Sequence, residues 1–234
     1  MADGKNDIDS RFRSDQPKRG ALRESMTSYI RQAAKHLLPD AVTEEVHRYR
    51  TYTGTELALY LRLRALDTFG ITRLEKLQPP RTARSFLFVC FGNIMRSPMC
   101  EALMKRAVSS WTRETTVASA GLHAVPGRPA HPWAVAAAKE SGICLEHHRA
   151  KALTEEMVTK AEVIFAMDYQ NMVQLRSRYP EAKNKVFMLG TYAGRNHRSV
   201  EISDPYYSGE DGTRQCYKTL EACINNLVSS FLDH

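Results

Sequence analysis

Ser85-Phe86-Leu87-Phe88-Val89-Cys90-Phe91-Gly92-Asn93-Ile94-Met95-Arg96-Ser97-Pro98 is the stretch on which the reading of this chain turns. Residues 86–89 form an unbroken apolar run, the pattern of a strand buried on both faces, and that strand delivers Cys90 to the edge of a sheet. Gly92 and Asn93 are residue types that accept left-handed backbone angles, so the chain after Cys90 can curl with its amide N–H groups pointing inward. Ser97 and Pro98 are favoured openers of a helix, expected over 98–110. The positive end of that helix faces the same space. Strand, curled loop and helix start together make a cradle for a phosphate, lined by Phe91, Gly92, Asn93, Ile94, Met95, Arg96 and Ser97, with a cysteine inside it.

A thiol at a helix N-terminus beside a cation ionises readily, so Cys90 reads as a nucleophilic thiolate that can attack phosphorus. Arg96 supplies a planar fork able to grip two phosphoryl oxygens and to stabilise charge spread over them during transfer, which a lysine cannot match. The Ser97 hydroxyl is placed to stabilise the sulfur when water hydrolyses a phosphocysteine. A bare C-x5-R spacing is a weak signal, and the chain holds a second copy, Cys100 to Arg106. That copy lies in a run of helix formers without glycine, where the backbone amides are consumed by the helix, and it reads as structural.

The segment Val-Cys-Phe-Gly-Asn-Ile-Met-Arg-Ser-Pro-Met resembles the signature of the low-molecular-weight protein tyrosine phosphatases, of bacterial type. Ser119-Ala120-Gly121, Gly127-Arg128-Pro129, His148-Arg149-Ala150-Lys151, Phe165-Ala166-Met167-Asp168 and Asp204-Pro205-Tyr206-Tyr207 match further landmarks in the same order. The resemblance covers about residues 85–234 and not the first 84. It implies a cysteine-dependent protein tyrosine phosphatase acting through a phosphocysteine, without metal or cofactor. Cys90 would be the nucleophile and Arg96 the phosphate clamp. Asp204 would be the general acid, held extended by the following proline; such proton transfer contributes ~10² to 10⁴-fold.

The resemblance also implies a substrate pocket walled by Tyr206 and Tyr207, with Ile94, Phe91 and, by approximate alignment, His123. Asn93, Ser97, Ser119 and His148 would form a hydrogen-bond network around the loop rather than take part in chemistry. Ile94 stands where the arginine-phosphatase branch has threonine, which favours a phenyl ring; a protein-arginine phosphatase is the alternative. Family members usually carry a second cysteine where this chain has Met95, and that cysteine forms a reversible, protective disulfide with the nucleophile, which Met95 cannot form. An arsenate reductase would need relay cysteines, and none lies between Cys144 and Cys216. A phosphotyrosine-binding module without turnover would lack one of Cys90, Arg96 and Asp204, all of which are present.

Outward from the loop, apolar runs and helical patterns alternate. Strands are expected at Ser85–Cys90, 116–119, Val163–Ala166 and 185–189. Helices are expected at 98–110, 132–141, 154–160, 169–179 and 212–232. That order predicts an α/β fold: a three-layer, doubly wound, four-stranded parallel sheet with helices on both faces and the cysteine loop at the carboxyl end of the first strand. A mainly helical extension precedes it. Residues 1–20 are polar and expected to be disordered. Helical spacing recurs over 22–37, 42–52 and 55–69, and Gln78-Pro79-Pro80-Arg81 reads as a linker, so that 21–84 form the extension and 85–234 the catalytic domain.

The 33 Lys and Arg outnumber the 26 Asp and Glu, and most of the excess falls in residues 1–84, which hold 16 and 11. Arg62 and Arg64 among leucines suit contact of residues 21–84 with a membrane surface or an acidic partner, but the favoured reading is a helical extension packed on the catalytic domain or on a second copy of the chain. No nucleic-acid motif is present. No apolar run reaches the ~18 residues of a membrane span, and no secretory leader is legible. Five cysteines without paired zinc spacing point to a cytoplasmic protein without metal. The expected partner is a tyrosine-phosphorylated protein, and the bacterial resemblance suggests a tyrosine kinase of polysaccharide export.

Overall fold

The computed structural model describes residues 52–68, 78–194 and 199–232. The tail expected over 1–20 and the helix over 22–37 lie outside the described residues, as does all but the last residue of the helix over 42–52. Four parallel strands, β1 Ser85–Cys90, β2 Thr116–Gly121, β3 Val163–Ala166 and β4 Val186–Met188, form one sheet in the order β2-β1-β3-β4. Between and around them run α1 Gly54–Thr68, α2 Arg96–Val108, α3 Pro132–Glu140, α4 Glu155–Lys160, α5 Tyr169–Arg178 and α6 Gly209–Leu232.

Side chains of β1 alternate between two separate cores. Phe86, Phe88 and Cys90 face one cluster, which includes Met99 and Leu103 of α2, Ala134 and Ala138 of α3, and Leu220 and Ile224 of α6. Leu87 and Val89 face the other, built with Met172 and Val173 of α5, Val158 of α4 and Tyr60 of α1. Because both faces are covered, the central strands carry no polar face, which is why they read as continuous apolar runs. The doubly wound three-layer arrangement is thus the one expected.

Several boundaries differ from those the pattern suggests. Helix α2 begins at Arg96 rather than at 98 and stops at Val108. Pro98 therefore sits inside the first turn, where a helix tolerates the missing N–H, and Arg96 and Ser97 belong to the helix rather than to the loop before it. Strand β2 runs on to Gly121, where it pairs with Cys90. Strand β4 is only three residues long, because Pro180–Lys185 and Leu189–Tyr192 on either side are 3-10 turns. Helix α6 starts at Gly209, whose φ of 67° suits glycine. The helix expected over 55–69 is α1, and in the segment read as a linker Pro79 is buried.

Candidate active site

Cys90 ends β1, and the next five residues curl back over it before α2 begins. One backbone angle makes the curl possible. Asn93 has φ of 52°, the sole positive φ among described residues other than glycine. Gly92, expected to share that role, does not take a left-handed angle, and a Cβ placed on it would meet only Ile94 at 3.6 Å. Asparagine tolerates this region because its short polar side chain can be fixed locally. Here it is: Asn93 Nδ2 donates to Ser97 Oγ and to Ser119 Oγ, both at 2.9 Å, and its Oδ1 accepts the Lys151 amide at 2.8 Å. His148 Nε2 donates to the Asn93 carbonyl at 2.7 Å. The Asn93, Ser97, Ser119 and His148 network expected from sequence is therefore assembled, and it reaches further, since Ser119 Oγ donates to Glu101 Oε2 at 2.5 Å.

At the centre lies the Cys90 sulfur, 3% exposed, accepting the Asn93 amide at 3.2 Å and lying 3.0 Å from the Ser97 hydroxyl. Arg96, in the first turn of α2, is 1% exposed. Its Nη1 donates to Asp168 Oδ2 at 2.7 Å and to the Ile202 carbonyl at 2.9 Å, and its Nη2 to Asp204 Oδ2 at 2.5 Å. Burial alone would lower the pKa of this guanidinium, but Asp204, Asp168 and the Cys90 sulfur raise it above its usual value, so Arg96 stays charged. Its buried Nε–H has no hydrogen-bond partner among the described residues. A donor enclosed without a protein acceptor, beside a sulfur and a helix N-terminus, suits the binding of an anion.

Asp204 caps the turn Pro205–Tyr207 by accepting the Tyr206 amide at 3.2 Å, and its side chain is a quarter exposed. The two tyrosines that follow meet edge to face at 5.0 Å, and each keeps 37% of its surface in solvent. Phe91, half-buried, stacks on His123 at 4.6 Å and 25°. Ile94 and Met95 are 6% and 3% exposed and belong to the core, so Ile94 offers a slot much less apolar surface than its position suggested. The second C-x5-R copy is structural: Cys100 is fully buried in α2, and Arg106 donates to the Ser141 carbonyl on the surface.

Four residues around this site have roles that the sequence reading missed. Asp168 holds Arg96 with one carboxylate oxygen and caps α5 with the other, accepting the Asn171 amide at 2.7 Å. An aspartate just ahead of a helical pattern is a capping signal that could have singled it out. Glu101 ties the Ser119 arm to Lys105. His131 donates its amide to the Ile94 carbonyl at 2.9 Å and packs edge-on against Tyr206 at 5.6 Å. Glu201 accepts the Tyr169 amide at 2.9 Å. For these last three no local pattern exists. Among the described residues, Cys144, Glu146 and His147 bring potential ligand atoms within 4.8 Å of one another, but all three are exposed and lie outside the cradle. No helix of the described residues is long and apolar enough to cross a membrane.

What this arrangement can do chemically is bind a tetrahedral oxyanion against a sulfur, with a carboxylate overhead. Comparison with known proteins agrees. Residues 85–233 match the family model described as low molecular weight phosphotyrosine protein phosphatase. The probable low molecular weight protein-tyrosine-phosphatase EpsP of Ralstonia nicotianae is 37% identical over 123 residues, 53% of this chain and 79% of its own. A protein-arginine-phosphatase of Bacillus subtilis is 36% identical over 142 residues, covering 61% and 93%. The crystal structure of the Erwinia amylovora tyrosine phosphatase amsI superposes with a TM-score of 0.58 at 32% identity, covering 64% of this chain and 93% of that one.

Proposed function

Because this chain belongs to the low molecular weight phosphotyrosine protein phosphatase family, we propose that it hydrolyses phosphotyrosine in proteins through a phosphocysteine formed on Cys90. The observation that carries this reading is the cradle itself: a buried sulfur that accepts the Asn93 amide at 3.2 Å at the start of α2, beside a charged arginine with an unpartnered Nε–H.

In the first step the phosphoryl oxygens take the inward amides of residues 91–97 and the Arg96 donors, displacing the Asp204 carboxylate from Nη2; on losing the arginine, Asp204 takes up a proton from solvent and turns to face the leaving group. Cys90 attacks phosphorus in line, the phosphorus–oxygen bond breaks, and Asp204 gives its proton to the departing phenolate. Arg96, held in place by Asp168 and the Ile202 carbonyl, stabilises the charge on the equatorial oxygens. In the second step Asp204 takes a proton from water as the water attacks phosphorus. The sulfur leaves as a thiolate stabilised by the Asn93 amide and the Ser97 hydroxyl, and inorganic phosphate departs.

Phe91, His123, Tyr206 and Tyr207 are the proposed walls for the aromatic ring; the two exposed tyrosines support this. Residues 85–234 are the proposed catalytic domain, acting in the cytoplasm, where a reducing medium suits five free cysteines. The proposed substrate is a tyrosine-phosphorylated protein, and a bacterial tyrosine kinase of polysaccharide export is the specific candidate to test. The deciding experiment incubates the full chain with phosphotyrosyl and phosphoarginyl peptides. Release of phosphate from the first, abolished in Cys90→Ser, with an acid-stable phosphoenzyme trapped on the wild type, supports the reading. Turnover of phosphoarginine alone, or undiminished turnover in Cys90→Ser, refutes it.

A further inference from the structure

Helix α1 lies ahead of the family-matched segment, yet it is built into the same core as the sheet. Tyr60 is 1% exposed in the cluster that also contains Tyr169, Met172 and Val200, with Leu59 and Leu63 packed beside it. One turn further on, the Arg64 guanidinium lies over the Tyr60 ring, 5.9 Å from its centroid, and pairs with the buried carboxylate of Glu201. Glu201 is placed to pass that contact on. Its other oxygen accepts the amide of Tyr169, the first residue of α5, and the residue just before, Asp168, holds Arg96. The residue just after Glu201 is Ile202, whose amide donates to the Met167 carbonyl at 2.7 Å and whose carbonyl accepts from Arg96 Nη1. Asp204 follows two residues later.

We propose that α1 is a positioning element of the catalytic site, and that Arg64 acts through Glu201 to fix the base of the segment carrying Asp204. The inference rests on the phosphatase reading of the site. Its physical basis is that Glu201 is a carboxylate only 8% exposed, and a buried carboxylate holds one geometry only while its partners hold it. Removing the Arg64 end leaves the Tyr169 amide bond but loosens the turn between Met167 and Asp204. The Cys90 loop, held by Asn93, Ser119 and His148, is untouched, and Arg96 keeps its bond to Asp168. Arg64 therefore acts first on the proton donor and only weakly, through the single Ile202 carbonyl bond, on Arg96, and a helix outside the family's own segment sets the efficiency of the family's chemistry.

The test uses the full chain as wild type, Arg64→Ala and Arg64→Lys, with phenyl phosphate as a poor leaving group and 4-nitrophenyl phosphate as a good one. Because proton transfer matters most for the poor one, Arg64→Ala should lose roughly 3- to 10-fold in kcat/KM on phenyl phosphate and less than about two-fold on 4-nitrophenyl phosphate. Inhibition by vanadate should stay within about two-fold, and Arg64→Lys, which keeps the charge, should recover most of the loss. Independently of turnover, the Ile202 amide should exchange with solvent faster in Arg64→Ala. Equal losses on both substrates, or an unchanged Ile202 exchange rate, overturn the proposal. A wild-type chain that turns over no aryl phosphate overturns the reading of the site instead, while the exchange measurement still decides whether Arg64 anchors the segment.

Discussion

Gly121→Ala is a single methyl group aimed at the cradle from behind. Gly121 ends β2 opposite Cys90, and a Cβ on it would lie 2.8 Å from the Asn93 amide nitrogen, 2.8 Å from the Phe91 carbonyl oxygen and 2.9 Å from the Ala124 Cβ. Ordinary contact begins at 3.4 Å, so something must move by about 0.6 Å. Gly121 itself cannot give way: its amide donates to the Lys151 carbonyl and its carbonyl accepts from Leu153, both at 2.9 Å. The loop must shift instead, and it carries the amide that binds the Cys90 sulfur. Overpacking of this kind costs ~1–3 kcal/mol of stability. Since a ~1 Å misplacement of reacting groups costs ~10²-fold, a shift of this size should cost about 10-fold or more in kcat/KM. Urea denaturation and 4-nitrophenyl phosphate turnover on the same preparation read both quantities. An alanine variant within about two-fold of wild type in kcat/KM would refute the claim that the Gly121 backbone fixes the loop.

Two further outcomes are expected. Burial lowers the pKa of His148 against the opposing pull of its bond to Asn93, so the folded state prefers the neutral ring. Its stabilising effect is then complete above the ordinary histidine value near ~6.5 and is lost as pH falls through the lower folded value. The urea midpoint of the wild type should therefore drop between pH 7 and pH 5.5, and more steeply than that of His148→Gln; parallel slopes count against this assignment. For redox behaviour, Met95 is buried where a thiol would have to reach the nucleophile, and burial pushes the Cys223 thiol up to about 12 and the Cys100 thiol well above its usual value. Peroxide-inactivated wild type should recover less activity with a thiol reductant than Met95→Cys does, and equal recovery in both would exclude any protective role for a thiol at this position.

The sheet was legible because buried parallel strands must be apolar on both faces: residues 86–89, 163–166 and 186–188 carry no polar side chain. The loop was legible as a loop, but the residue that turns it was only half identified. Glycine and asparagine are both permitted left-handed angles, and the choice fell to Asn93 because Ser97, Ser119 and Lys151 are there to bind its side chain. Two of those partners are 26 and 58 residues away, which no local pattern encodes. The same holds for Glu101 and Glu201, which carry no local signal and are each only 8% exposed. Asp204 was given its role by the resemblance, since an Asp-Pro pair by itself is only a turn opener; Asp168, which holds the same arginine from the other side, was quoted as a landmark but given no role.

The geometry of Asn93 also shows why the loop needs such distant support. A left-handed residue costs on the order of 1 kcal/mol or more, and a curled loop with inward amides gives up the bonds those amides would make in a regular element. Against this stand three side-chain bonds from Asn93 and one from His148 to its carbonyl, each contributing ~0.5–1.5 kcal/mol net. The sum exceeds the strain, so the loop can hold its shape before any anion arrives. The supports also come from separate parts of the chain: Ser119 from β2, Lys151 and His148 from the segment after α3, and Ser97 from α2. The conformation around Cys90 is therefore stable only once β2, α2 and the 148–151 segment have docked together, and the nucleophile is assembled by the completed fold rather than by the loop residues that announce it.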